Sequence, residues 1–208
     1  MLEVHHLNNS RSQRVLWMLE ELGVEYRIVP YQRDPKTMFG PPELKAIHPL
    51  GKSPVIRDDG AVIAESGAII EYLVERYGKG RFVPARGTPG FERYRYWMHY
   101  AEGSLMPQIL LKLYLGRVGE AANAVLERVN GAVQMHLAFV ESSLGAAPYL
   151  TGTEFTAADV QMSFPLEVCQ TQGLLRDLPG LNALLQRLHE RPAYQAALKQ
   201  GGPYAYAK

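Results

Sequence analysis

The sequence predicts an α/β region followed by an all-α one, and three observations carry that reading. Residues 1–80 run strand, helix, strand and then strand, strand, helix, a βαβ-ββα order. A glycine- and proline-rich stretch, "GKGRFVPARGTPG", follows without periodicity. Every long apolar run after it has helical spacing.

"LEVHHL" reads as the first strand, and "SRSQRVLWMLEELG" places Val15, Leu16, Leu19 and Leu22 on one helical face with Gly23 as the stop. "VEYRIV" alternates Val24, Tyr26 and Ile28 and reads as a second strand, parallel to the first because a helical crossover joins them. After a polar stretch with Pro35, Pro41 and Pro42, "PVI" and "AVIA" flank Asp59-Gly60, a preferred hairpin turn. "ESGAIIEYLVERYG" then repeats Ile69, Ile70, Leu73, Val74 and Tyr77 before Gly78, as a helix does. The division expected is a first domain at 1–80, a linker at 81–90 and a helical domain at 91–208.

Lys+Arg total 22 and Asp+Glu 21, so no net charge draws the chain toward nucleic acid or anionic lipid. No apolar run approaches the ~20 residues of a membrane span, and "MLEVHHLNNS" lacks the basic and apolar segments of a signal peptide. Cys169 is the single cysteine, which excludes an intrachain disulfide and a CxxC dithiol. A cytoplasmic, reducing location is expected. Neither a GxSxG elbow nor a P-loop occurs, "HERPA" lacks the second histidine of a zincin motif, and the six histidines show no metal-ligand spacing.

"HPLGKSPVI", His48 to Ile56, sets prolines and a glycine just ahead of an apolar pair. Pro54 cannot donate to a ladder, so it belongs at a strand start or edge. A cis Ser53-Pro54 bond would turn the main chain of Val55 outward, where an extended peptide could add as a further strand; the same proline can equally serve only to block strand extension. Glu65-Ser66 opens the next helix, whose free N–H groups favour a carboxylate, although Ser66 also suits a plain N-cap. Lys52 could pair with a second carboxylate or remain solvated. Together these groups suit a short extended peptide with a carboxylate at each end.

"HPLGKSPVI" followed by "ESGAIIEYL" resembles the glutathione-binding stretch of cytosolic glutathione transferases, especially a bacterial and fungal branch. The resemblance covers essentially the whole chain: "TAADV" at Thr156 to Val160 is similar to the family's helix-capping box, and "RPAY" at Arg191 to Tyr194 to a late helical segment. It implies a thioredoxin-like first domain, a helical second domain contributing the electrophile site, and a homodimer. It further implies glutathione as co-substrate with no tightly bound cofactor and no metal. By resemblance, Pro54 stands for the cis-proline, Val55 for the residue whose backbone pairs with the cysteinyl unit, Lys52 for a partner of the glycyl carboxylate, and Glu65 and Ser66 for the γ-glutamyl site.

The chemistry implied is ionisation of the glutathione thiol, because the thiolate is the nucleophile and a free thiol titrates near ~8.5. A hydroxyl donating to sulfur favours the charged form. Ser10, four residues before Arg14, resembles the donor of serine-type members, with Asn9 and Arg11 as accessory contacts and Asn8 and Ser12 as alternatives. The loop contains neither tyrosine nor cysteine, which argues against a tyrosine donor or a mixed disulfide on the protein. Met106, Leu110 and Tyr114 could line an apolar electrophile pocket, though such spacing also suits a core. The alternatives are a glutathione-dependent peroxidase or disulfide reductase on the same site, and a non-catalytic binding module.

Overall fold

The computed structural model describes residues 1–207, which divide into two compact units: 1–83 together with the chain from Leu188 onward, and 84–187. In the first unit β1 (Leu2–Leu7) pairs in parallel with β2 (Tyr26–Tyr31) and antiparallel with β3 (Val55–Asp58). β3 pairs antiparallel with β4 (Ala61–Ala64), giving the order β2-β1-β3-β4. Asp59 and Gly60 both take positive φ, 46° and 84°, as the two-residue turn between β3 and β4 requires.

α1 (Ser12–Leu22) buries Val15, Leu16, Leu19 and Leu22. It stops at Gly23, in the left-handed region at φ 69°. There the N–H of Gly23 donates to the Glu20 carbonyl and that of Val24 to the Leu19 carbonyl. Val24 therefore belongs to the helix cap, and β2 begins two residues later than the apolar alternation predicts. Pro30 is tolerated in β2 because that strand is an edge. α2 (Ser66–Tyr77) buries Ile69, Ile70, Leu73 and Val74. Gly78 follows it because a Cβ there would lie 2.3 Å from the Val74 carbonyl oxygen.

The region expected as one helical domain, 91–208, is shared between the two units. α8 (Pro192–Gly201) packs on α1: the Trp17 and Tyr194 rings meet edge-on at 5.1 Å, and Arg191 donates to both oxygens of Glu21 at 2.6 and 2.8 Å.

In the second unit α3 (Pro89–Tyr100) starts at Thr88, whose hydroxyl accepts from the Phe91 N–H. A π turn at Ala101–Leu105 leads straight into α4 (Met106–Leu115), so the stretch that reads as one long helix is continuous but bulged. α5 (Asn123–Leu144) and α6 (Ala157–Thr171) follow, and α7 (Pro179–His189) leads out of this unit. α6 is buried from Ala157 to Cys169, which makes it the core of this unit. Cys169 is fully buried and its thiol is pushed up to about 12 by that burial, a small core residue and no nucleophile. Among the described residues no helix is long and apolar enough to cross a membrane, and no three acidic, histidine or cysteine groups gather as metal ligands.

Candidate active site

The sheet register brings three distant pieces of sequence to one edge of the first unit. Because β3 runs antiparallel to both neighbours, its first residue Val55 stands beside His5, near the end of β1, and beside Ala64, the last residue of β4. The loop Asn8–Arg11, the segment before Val55 and the Glu65-Ser66 start of α2 therefore share one end of the sheet. A hydrogen bond ties them: the guanidinium of Arg14, buried in α1, donates to Ser66 Oγ at 2.7 Å. It places a cation behind the N-terminus of α2, which reinforces that helix end's preference for an anion.

Glu65 precedes α2 at φ 69° and ψ 118°, a strained conformation for a residue with a Cβ, and its side chain makes no capping bond. Strain of this kind costs roughly 1–3 kcal/mol and clusters where ligands bind. Ser66 is buried and Glu65 exposed. Lys52 is exposed, its ammonium 5.8 Å from the Phe39 ring centroid.

The Ser53-Pro54 bond is cis. Val55, however, is not an open edge. It is 0% exposed and flanked by strands on both sides, so its N–H and C=O point at a neighbouring strand whichever way they face. The open main chain lies two residues earlier. Ser53 spends its side chain internally, its hydroxyl donating to the His5 carbonyl at 2.8 Å and accepting from the Leu7 N–H at 3.2 Å. Among the described residues its own N–H and C=O have no hydrogen-bond partner. The sequence signal is weak: the residue before a proline is held extended and a serine hydroxyl can bond neighbouring backbone, but neither shows which groups the flanking strands cover.

Ser10 is 4% exposed, and its Oγ lies 2.7 Å from Ser12 Oγ while accepting from the Ser12 N–H. Asn9 sits at φ 49°, its side-chain oxygen accepting from the Ala205 N–H and its carbonyl from Arg33. Asn8 accepts from the Arg33 N–H and guanidinium. Arg11 occupies the N-cap position of α1. In the second unit, Met106, Leu110 and Tyr114 succeed one another every four residues along α4, running from 3% exposed at Met106 to 58% at Tyr114.

Comparison with known proteins shows the family. The family model for the glutathione S-transferase N-terminal domain matches residues 10–76, and that for the C-terminal domain matches residues 113–201. Glutathione S-transferase 3 of Schizosaccharomyces pombe is 35% identical over 96% of this chain and 88% of its own length. The chain belongs to the glutathione S-transferase family. By class the protein is a glutathione transferase, with a thioredoxin-like N-terminal domain and a helical C-terminal domain. Glutathione S-transferase 1 of Saccharomyces cerevisiae is 31% identical over 95% of the chain and 94% of its length. A glutathione S-transferase crystal structure from Actinobacillus pleuropneumoniae superposes with a TM-score of 0.92 at 35% identity, covering 99% of this chain and 95% of that one. A glutathione transferase homologue from Sulfitobacter, 23% identical with a TM-score of 0.81 over 97% and 98% of the chains, shares the fold and was solved with bound glutathione.

Proposed function

We propose that this glutathione transferase binds glutathione along the sheet end formed by residues 52–54 and 65–66, ionises its thiol beside Ser10 and directs the sulfur at a small apolar electrophile. The carrying observation is the convergence of an open main chain at Ser53, a strained Glu65 and a cation-backed helix start at Ser66. Those features suit the two ends and the middle of a tripeptide. Lys52 serves the glycyl carboxylate, Ser53 replaces Val55 as the pairing residue, and Glu65 with Ser66 takes the γ-glutamyl end. Met106, Leu110 and Tyr114 form the apolar face for the electrophile. We further propose a cytoplasmic homodimer, glutathione as co-substrate with no tightly bound cofactor, and 1–80 and 91–208 as the glutathione and electrophile domains.

A peroxidase or disulfide reductase on the same site would use the side-chain amides of Asn8 and Asn9 to hold a sulfur. The bonds that tie both residues into their loop, from Arg33 and from the Ala205 N–H, engage their oxygens and not their side-chain amide donors, so this stays the second reading of the same site. The test is titration of the bound thiol by its ultraviolet thiolate absorbance in wild type and in Ser10→Ala. The variant is expected to hold glutathione while its thiol titrates about one pH unit or more higher. An unchanged titration would move the role to a neighbour.

A further inference from the structure

Three polar side chains and one main-chain carbonyl form a continuous line inward from Ser10. Ser10 Oγ lies 2.7 Å from Ser12 Oγ, Ser12 Oγ 2.8 Å from His6 Nδ1, and His6 Nε2 3.1 Å from the Gly201 carbonyl oxygen. Gly201 closes α8, 195 positions away in sequence. It comes this close because it has no side chain: a Cβ would lie 2.6 Å from Gln13 Oε1 and 2.9 Å from Leu16 Cδ1.

The donor directions follow from the acceptors. A carbonyl only accepts, so His6 carries its proton on Nε2, and a neutral ring then offers Nδ1 as an acceptor. The Ser12 hydroxyl donates to it, since the rival acceptor, the Leu7 carbonyl, is further away at 3.3 Å. Ser12 has one proton, so its oxygen must accept from Ser10. In this resting state the Ser10 hydroxyl points away from any sulfur and offers only a lone pair.

Resting on the proposed glutathione site, we infer that His6, acting through Ser12 and Ser10, is the acceptor of the proton that the glutathione thiol loses. The S–H bond breaks as its proton joins Ser10 Oγ. The former Ser10 proton passes to Ser12 Oγ, and the former Ser12 proton to His6 Nδ1. One proton moves from sulfur to imidazole and no electrons are exchanged. Every hydrogen bond between Ser10 and His6 Nδ1 reverses while the bond to the Gly201 carbonyl keeps its direction, so Ser10 ends as a donor to the thiolate, the state that stabilises it. The imidazolium is met by the terminal carbonyl of α8, the negative end of that helix. Burial lowers the His6 pKa and the Gly201 carbonyl raises it, and no charged group among the described residues acts on it. The ring therefore rests neutral with Nδ1 as an acceptor, and it keeps the proton because the negative charge of the new thiolate offsets the burial that lowers its pKa.

The experiment counts protons while glutathione binds near neutral pH in weak buffer with an indicator, alongside the ultraviolet thiolate signal. Wild type is expected to form thiolate with well under one proton released per thiolate. Ser12→Ala and His6→Gln should bind glutathione with affinity within about threefold, titrate about one pH unit higher, and release about one proton per thiolate. The double variant should be no worse than either single one, because one line is cut once or twice. Release of a full proton by wild type, or unchanged titrations in both variants, overturns the relay while the glutathione site stands. Failure of wild type to bind glutathione overturns the site and the relay together.

Discussion

The starts of α2 and α6 are built in opposite ways. At α6, a capping box joins Thr156 and Asp159: the carboxylate of Asp159 accepts from the Thr156 N–H, the Thr156 hydroxyl and the Leu150 N–H, at 0% exposure. At α2, Glu65 is strained and caps nothing, while Ser66 is backed by Arg14. A helix start whose donors are satisfied from within holds the fold together. One left open, with a buried cation behind it, is arranged for an anion from outside.

The largest effect that separates the two ends is expected at α6. Asp159→Ala removes the cap and orphans two buried N–H groups, and should cost about 2–4 kcal/mol in urea unfolding. Burial, the dominant influence, pushes the Asp159 carboxyl up to about 6 against the hydrogen bonds that lower it. The folded-state value then exceeds the unfolded value of ~3.9, so the native state holds the extra proton and stability falls as pH rises from about 4 to about 6. Asp159→Asn should flatten that slope; a slope of opposite sign would break the comparison. Next is Arg14→Gln, expected to weaken glutathione binding about tenfold by calorimetry, because it withdraws the cation behind the open end. Wild-type affinity would make α2 an ordinary helix start.

Glu65→Gly should raise unfolding stability by about 1 kcal/mol by relieving the positive φ while loosening glutathione a few-fold. A loss of stability would mean the conformation is not strained. Smallest is Lys52→Ala, expected to weaken binding about threefold with unfolding unchanged, since an exposed lysine contributes little to the fold.

Most of the fold was legible because it is written locally: Gly23 and Asp59-Gly60 punctuate elements whose apolar periods differ between 2 and 3.6. The α6 capping box was legible for the same reason. The packing of α8 on α1 was not, since an amphipathic helix shows which face is buried but not against what. In sequence, the apolar pair after Pro54 points to Val55 as the peptide edge. Only pairing on both sides reveals that the open groups belong to Ser53. His6 lies in a strand buried at nearly every position, where nothing sets it apart from His5, and its partner Gly201 gives no sequence signal.

The most direct measurement compares glutathione with an analogue whose γ-glutamyl α-carboxylate is replaced by hydrogen, both titrated into wild type and Arg14→Gln. An open, cation-backed α2 predicts that the analogue binds wild type about a hundredfold more weakly and loses little further in the variant. Equal affinity of the two ligands for wild type would contradict it.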